Sequence, residues 1–383
     1  MVLLLDNDAQ ASATSIALAI AAMESGIREY ARGGAIRRPR IDNWLPTSQA
    51  DRLFNFSSME GGATELGYYA LRIKPDIYHF PTVDGRRRRE NYAVRPGLYG
   101  GLVLLFSTHN AELLAIFNDG YIQHLRVAAT VALGIRWLSL PESASLGILG
   151  SGGMARAIPL AAAHERRIRR LRAWSPNREN LERYRDEMAD LGDWDVDAVG
   201  DPAAAIDGAD IVLTCTTSSQ PVLDANWIRP GMHINNVSLN ELDSEACQRI
   251  DTVGVFVRHG EMSVGGLRDD GFGIRLNAMS YATVAVDDLG IIPGVAPNPD
   301  RFPNATVVDC VDWTTGQPYQ RSPNEVTILA NASKGTLEGD AVGSSGMQGI
   351  QFAAVGGAIY EQALARGIGR ELPTELFLQD IPT

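Results

Sequence analysis

The stretch Leu146-Gly147-Ile148-Leu149-Gly150-Ser151-Gly152-Gly153-Met154-Ala155 constrains this chain more than any other. A short apolar run stops at a glycine-rich turn, and an alanine-rich helical stretch from Ala155 to Ala163 follows at once. This is the G-x-G-x-x-A spacing of a dinucleotide fingerprint, set between a strand and a helix. Gly150 permits the tight turn, Gly152 lets backbone approach a pyrophosphate, and Ala155 lets the helix pack closely on the sheet. Ser151, Gly153 and Met154 complete the turn, and the helix start offers N–H groups to the phosphates. Strands are expected at Ser145–Leu149, Ile168–Trp174, Ala209–Thr216 and His233–Val237, alternating with helices. That alternation predicts an α/β, Rossmann-type, doubly wound parallel sheet.

The end of the second strand bears on which nucleotide is bound. An acidic residue that grips the ribose 2′-hydroxyl of NAD stands about twenty residues past the glycines. Here the chain runs Trp174-Ser175-Pro176-Asn177-Arg178, with no carboxylate. The hydroxyl of Ser175, the amide of Asn177 and the guanidinium of Arg178 suit a 2′-phosphate, which favours NADP(H) while leaving NAD(H) possible. Thr216, Thr217 and Ser218 stand at and just beyond the end of the strand Ala209–Thr216 and are expected to border the cofactor.

Composition narrows the class. The chain has 383 residues, 45% hydrophobic and 21% charged, with a net charge of −12 from 34 basic and 46 acidic residues. That length accommodates two domains, and the acidity argues against a nucleic-acid partner. The run Arg86-Arg87-Arg88-Arg89 is a local exception, read as a solvated loop. Cys215, Cys247 and Cys310 lie far apart without metal-ligand spacing, so no metal is expected. They read as reduced, partly buried thiols of a cytoplasmic protein. No basic n-region opens the chain and no long apolar run interrupts it, so neither a signal peptide nor a membrane partner is expected.

Elsewhere periodicity is the guide. An amphipathic helix is expected to open the chain, carrying Ile16, Ile20, Met23, Ile27 and Tyr30. Tyr68–Ile73, Gly101–Phe106 and Leu113–Phe117 read as strands of an antiparallel or mixed sheet. A helix from about Ile122 to Leu138 leads into the fingerprint, and another from about Ile350 to Ala365 needs a packing partner. Between Gly254 and Val308 the pattern weakens, which suggests an insertion.

Several separated stretches together resemble the ornithine cyclodeaminase/μ-crystallin family. They are Asn118 to Ala129, Gly150 to Arg156, Trp227 to Asn235, Arg321 to Thr327 and Gly346 through Gly369. The resemblance implies a homodimer. It also implies a second, α+β substrate-binding and dimerisation domain formed by both chain ends, at 1–125 and 344–383. The Rossmann domain would span 126–343, with the insertion near 254–308. It implies catalysis on an amino or imino acid held by its carboxylate, with Arg40, Lys74 and Arg126 as the matching cations. A carboxylate leaving water needs cations and donors to replace its lost solvation, and a guanidinium also fixes its orientation. A lysine beside arginines would release its proton more readily and could act as an acid.

Departures from the family narrow the reading. Cyclodeaminases resembling this chain carry an aspartate in the loop matched by Asn235 to Asp243, where no carboxylate stands before Glu241. Phe352 stands where many relatives have aspartate after the residue matching Gln351, and Val127 and Met154 also depart. The leading expectation is therefore an NAD(P)H-dependent oxidoreductase that reduces an α-imino acid or interconverts a 2-keto acid and an amino acid. Lys74 and Arg126 are its expected catalytic residues, with Arg40 joining them in substrate binding. A cyclodeaminase-type ammonia-lyase using bound NAD is the second reading. A non-enzymatic, μ-crystallin-like binder of NADPH and a small ligand is the third.

Overall fold

The computed structural model describes residues 1–79, 81–83, 86–87, 90–218, 220–237, 241–256, 280–282, 302–314, 316, 319–330, 347–379 and 381. They fall into two compact units, Met1–Arg126 with Asn277–Ile292 and Gln348–Thr383, and Val127–Leu276 with Pro293–Met347.

The first unit opens on a strand rather than a helix, β1 (Val2–Leu5), followed by α1 (Asn7–Ser12) and α2 (Ile16–Ala31). β1 is buried along nearly its whole length, so its apolar residues show no alternation from which a strand could be read. Next come β2 (Ala35–Pro46), β3 (Arg52–Ala63) and β4 (Tyr68–His79), then the short β5 (Thr82–Val83), β6 (Arg86–Arg87) and β7 (Glu90–Tyr92). β8 (Leu102–Ser107) and β9 (Leu113–Asn118) lead into α3 (Asp119–Leu138). Arg86 and Arg87 thus lie in a hairpin strand paired with β5, while Arg88 and Arg89 lie outside the described residues.

The long strands β2 and β3 escape a sequence reading because Arg37, Arg38, Arg40 and Asp42 break the apolar alternation of the first. In β3 the period of two is plain. Leu53, Asn55, Ser57 and Met59 are buried, and Phe54, Phe56 and Ser58 between them are half-buried. The buried face includes polar residues, which a purely apolar template misses. The C-terminal helix α9 (Gln348–Arg366) packs on β3, β4 and α2. A Cβ on Gly349 would lie 2.0 Å from the Glu60 carbonyl oxygen, so helix and strand backbones meet where no side chain fits. Two short strands, β16 (Ser280–Ala282) beside β2 and β19 (Arg370–Leu372) beside β1, complete a sheet ordered β16-β2-β3-β4-β8-β9-β1-β19, with β7 as a ninth strand paired to β4.

The second unit contains β10 (Ser145–Leu149), α4 (Gly153–Glu165), β11 (Arg170–Trp174), α5 (Arg178–Ala189) and β12 (Asp195–Ala198). α6 (Pro202–Ile206), β13 (Ile211–Thr214), β14 (His233–Asn236), α7 (Ser244–Gln248) and β15 (Thr252–Val255) follow. β17 (Thr306–Asp309), α8 (Cys310–Trp313) and β18 (Thr327–Leu329) complete it. Every pair in the sheet is parallel, in the order β12-β11-β10-β13-β14-β18-β15-β17. The order reverses between β10 and β13, where doubly wound sheets bind ligands beyond their strand ends. β15 and β17 extend this sheet from within the segment read as an insertion, while residues 257–279 and 283–301 of that segment lie outside the described residues.

The buried residues of this sheet include Leu149, Val212, Ile234, Val253 and Ile328, packed with Leu223, Ile228 and Ile250. Arg166 and Arg321 donate to carbonyl oxygens of the last turn of α3, where a cation meets the negative end of the helix dipole. Cys215, Cys247 and Cys310 are all buried. No helix among the described residues is long and apolar enough to cross a membrane.

Candidate active site

The fingerprint turn lies at the end of β10, beside the reversal of strand order. Gly150 holds φ at +121°, and a Cβ there would lie 2.6 Å from the Cys215 carbonyl oxygen, so only glycine fits. Its N–H donates to the Trp174 carbonyl at 2.8 Å, which ties the turn to β11. Gly152 is the N-cap of α4, no side chain caps the helix, and nothing described lies within 4 Å of where its Cβ would be. Among the described residues no side chain accepts from the first-turn N–H groups of α4, an arrangement that fits a dinucleotide pyrophosphate. Arg156 donates to the carbonyls of Ser151 and Gly152 and pairs with Glu187, bracing the turn from behind. The buried Tyr184 hydroxyl donates to the Ala155 carbonyl at 3.0 Å. Ser151, Gly153 and Met154 are half-buried around the same turn.

At the end of β11, Ser175 is half-buried, and the Asn177 side chain caps α5 by accepting from the Asn180 N–H at 2.9 Å. Arg178 begins α5 with a largely exposed side chain, paired with Glu182 and donating to the Val199 carbonyl at 3.4 Å. Beyond β13, Thr216 donates from its N–H at 2.6 Å and its hydroxyl at 2.9 Å to one oxygen of Glu241, whose other oxygen accepts from Thr214. Ser218 bonds back to Thr216 and on to the Gln220 carbonyl, and Thr217 is exposed. Glu241 is fully buried and organises this loop, a role that no local pattern announces.

The candidate carboxylate-binding residues lie in the first unit. Arg126, 2% exposed, donates to Gln351 Oε1 at 2.6 Å and to Gln123 Oε1 at 2.9 Å. Burial and the neighbouring Arg72 lower its proton affinity, against the pull of Asp119, bringing its pKa to about 9. Arg72 is itself buried and held by both oxygens of Asp119, at 2.7 and 2.5 Å. The Phe352 ring lies against both guanidiniums.

Arg72, Lys74 and Asp76 share one side of β4 because a strand alternates. The Lys74 ammonium meets both oxygens of the buried Asp76, which also accepts from Asn91 at 2.7 Å. Its immediate partner is thus a carboxylate, where the sequence suggested arginines. Arg40 sits at a register shift of β2 and donates twice to Asp42, at 3.0 and 2.8 Å. Burial opposes the Arg40 charge, but Asp42, Tyr78 and Asp76 outweigh it and raise the pKa.

Of the three expected cations, Arg40 and Lys74 share the environment of Asp76, and Arg126 stands beside Arg72 and Phe352. Sequence reasoning missed Arg72, Asp76 and Asp119. Asp76 had a usable signal, since a carboxylate two residues past a strand lysine faces the same way.

The model of the ornithine cyclodeaminase/mu-crystallin family matches residues 6–257. The chain belongs to that family. Ketimine reductase mu-crystallin of Rattus norvegicus is 33% identical over 148 residues, 37% of this chain and 46% of that one. Delta(1)-pyrroline-2-carboxylate reductase of Paracoccus denitrificans is 28% identical over 216 residues, 55% of this chain and 64% of that one. The fold is that of the Thermococcus litoralis Delta(1)-pyrroline-2-carboxylate reductase, solved with NADH and L-proline. It has a TM-score of 0.67 at 18% identity, covering 97% of this chain and all of that one. Within this family chain, the stretches Arg321 to Thr327 and Gly346 to Gly369 lie beyond the matched span.

Proposed function

We propose that this family member is an NAD(P)H-dependent oxidoreductase that reduces the C=N bond of an α-imino acid, or equally interconverts a 2-keto acid and its amino acid. The observation that carries the reading is the uncapped N-terminus of α4 at Gly152, open at the strand reversal of a parallel sheet. A bound nicotinamide supplies the electron pair of the reduction. The chain's own residues bind, orient and protonate. Arg126, held by Gln123 and Gln351, presents a fixed guanidinium to the substrate carboxylate, and Arg40 adds a second. Lys74, gripped by Asp76, holds the carboxylate or delivers the proton that keeps the imine an acceptor.

Arg178 favours NADP(H) over NAD(H), since no carboxylate stands at the end of β11 to meet a ribose 2′-hydroxyl. Two chain ends and residues 277–292 forming one unit around a nine-stranded sheet support a substrate-binding and dimerisation domain. The half-buried Phe54, Phe56, Ile73, Ile77, Leu104 and Phe106 make one apolar sheet face, which supports a homodimer that covers it. Three buried cysteines that form no disulfide agree with a cytoplasmic setting.

The deciding experiment is an NADPH-oxidation screen of 2-keto acids with ammonia or methylamine, alongside preformed cyclic imines. Oxidation dependent on an imine is expected. Ammonia release from ornithine without net NADPH consumption would establish the cyclodeaminase reading instead, and coenzyme binding without any turnover would establish the binder.

A further inference from the structure

Asn55 sits in the middle of β3, opposite Trp44 of β2 and Asp76 of β4. Its side chain belongs to the buried face of the strand, with Ser57 and Met59. It is 0% exposed, yet neither Nδ2 nor Oδ1 has a hydrogen-bond partner among the described residues. A buried polar group left unpaired is costly, so an amide with both ends unmet needs a physical account.

The surroundings of this amide belong to the substrate-binding residues. Lys74 and Asp76 pair on one side of it and Arg40 and Asp42 on the other. Arg40 on β2 also interacts with Asp76 and Tyr78 on β4, across the strand that carries Asn55. Each of these cations is paired with a carboxylate and both are assigned to the substrate's own carboxylate, so neither is left to select an acidic side chain. The Trp44 and Tyr78 rings, tilted at 5.1 Å, supply an apolar wall beside it.

We propose that Asn55 binds the substrate side chain, and that this side chain ends in a neutral group that both donates and accepts hydrogen bonds, a carboxamide or a hydroxyl. The inference rests on the reading of this unit as the amino- or imino-acid site. An amide offers one donor edge and one acceptor edge, which such a group meets and an alkyl chain leaves unmet. A site built this way rejects the analogue lacking the polar group because its own amide is then stranded.

The test is calorimetric titration of the full chain, saturated with NADP+, with the product-like amino acids. L-glutamine, L-asparagine and L-homoserine are set against L-norvaline and L-norleucine, with L-glutamate and L-lysine as charged probes. At least one neutral polar amino acid is expected to bind tenfold or more tightly than its apolar counterpart and than either charged one. Asn55→Leu, which keeps the branching and heavy-atom count of the side chain, should erase that preference while keeping norvaline affinity and the melting temperature. Equal or tighter binding of norvaline or a charged probe by the wild-type chain overturns the proposal, and that arm needs no variant to fold. So does an Asn55→Leu chain that keeps the preference, or one in which only the melting temperature moves, as for an amide satisfied by a buried water. Binding of none of these amino acids would instead sink the reading of the site, and the inference with it.

Discussion

The Arg126 guanidinium carbon lies 5.1 Å from the centroid of the Phe352 ring, and the Arg72 guanidinium carbon lies 5.6 Å from the same centroid. Two buried like charges therefore share an aromatic ring, and Asp119 neutralises the one of them that it clasps. A ring attracts each guanidinium without taking up its hydrogen-bond donors, by about 0.5–2 kcal/mol per contact. Phe352→Leu keeps an apolar core residue and removes the ring's charge distribution. The Arg126 donors should then lose their alignment, raising KM by about tenfold while kcat changes little. Steady-state kinetics on the imine substrate checks this, and an unchanged KM would mean that Phe352 only fills space.

Arg126→Ala should reduce kcat/KM by an amount on the order of 3 kcal/mol, because it removes the proposed hydrogen-bonded charge partner of the carboxylate. Wild-type kinetics in that variant would remove Arg126 from the site.

The same arginine predicts a pH dependence of definite sign. Its pKa is lowered to about 9 from the usual guanidinium value, so across that interval the folded protein holds fewer protons than the unfolded chain. The stability linked to this group therefore rises as pH increases through the interval. Its grip on a carboxylate falls over the same range as charge is lost. Substrate KM should climb above a pH of about 9, and the rise should vanish in Arg126→Gln; an identical profile in both proteins would assign it to another group.

The two fingerprint glycines should separate folding from coenzyme binding. Gly150→Ala forces a Cβ to 2.6 Å from the Cys215 carbonyl at a positive φ, and should lower stability by roughly 1–3 kcal/mol. Gly152→Val meets nothing described within 4 Å, so melting should change little while a branched side chain fills the pyrophosphate space. Thermal melts paired with NADPH fluorescence titrations read both effects. Full coenzyme affinity in Gly152→Val would place the phosphates elsewhere.

Arg178→Ala should weaken NADPH binding by about tenfold, the worth of one charge-assisted hydrogen bond, and leave NADH binding unchanged. Arg178 is exposed and its partner Glu182 lies on the same helix, so the fold should survive the change. Parallel titration with both coenzymes decides the matter, and an unaltered preference for NADPH would refute the assignment.

What was legible in the chain follows from the range of the interactions. Gly150, Gly152 and Ala155 act within one turn and one helix start, so their spacing alone carries their function. The strands β10 and β13 are likewise readable, because parallel strands buried on both faces are short apolar runs. The strands β2 and β3 were not, since charged residues break the alternation of the first and the buried face of the second carries Asn55 and Ser57 where an apolar residue would have announced a strand.

By itself the sequence determined a nucleotide-binding parallel sheet and three candidate cations, because local spacing and periodicity are properties of neighbouring residues. Only the tertiary structure decided what those cations meet. Arg72 reaches Asp119 across 47 positions and Arg126 reaches Gln351 across 225. Such pairings depend on strand register and helix packing, and a charge can be assigned no partner until the chain has brought distant residues to one face.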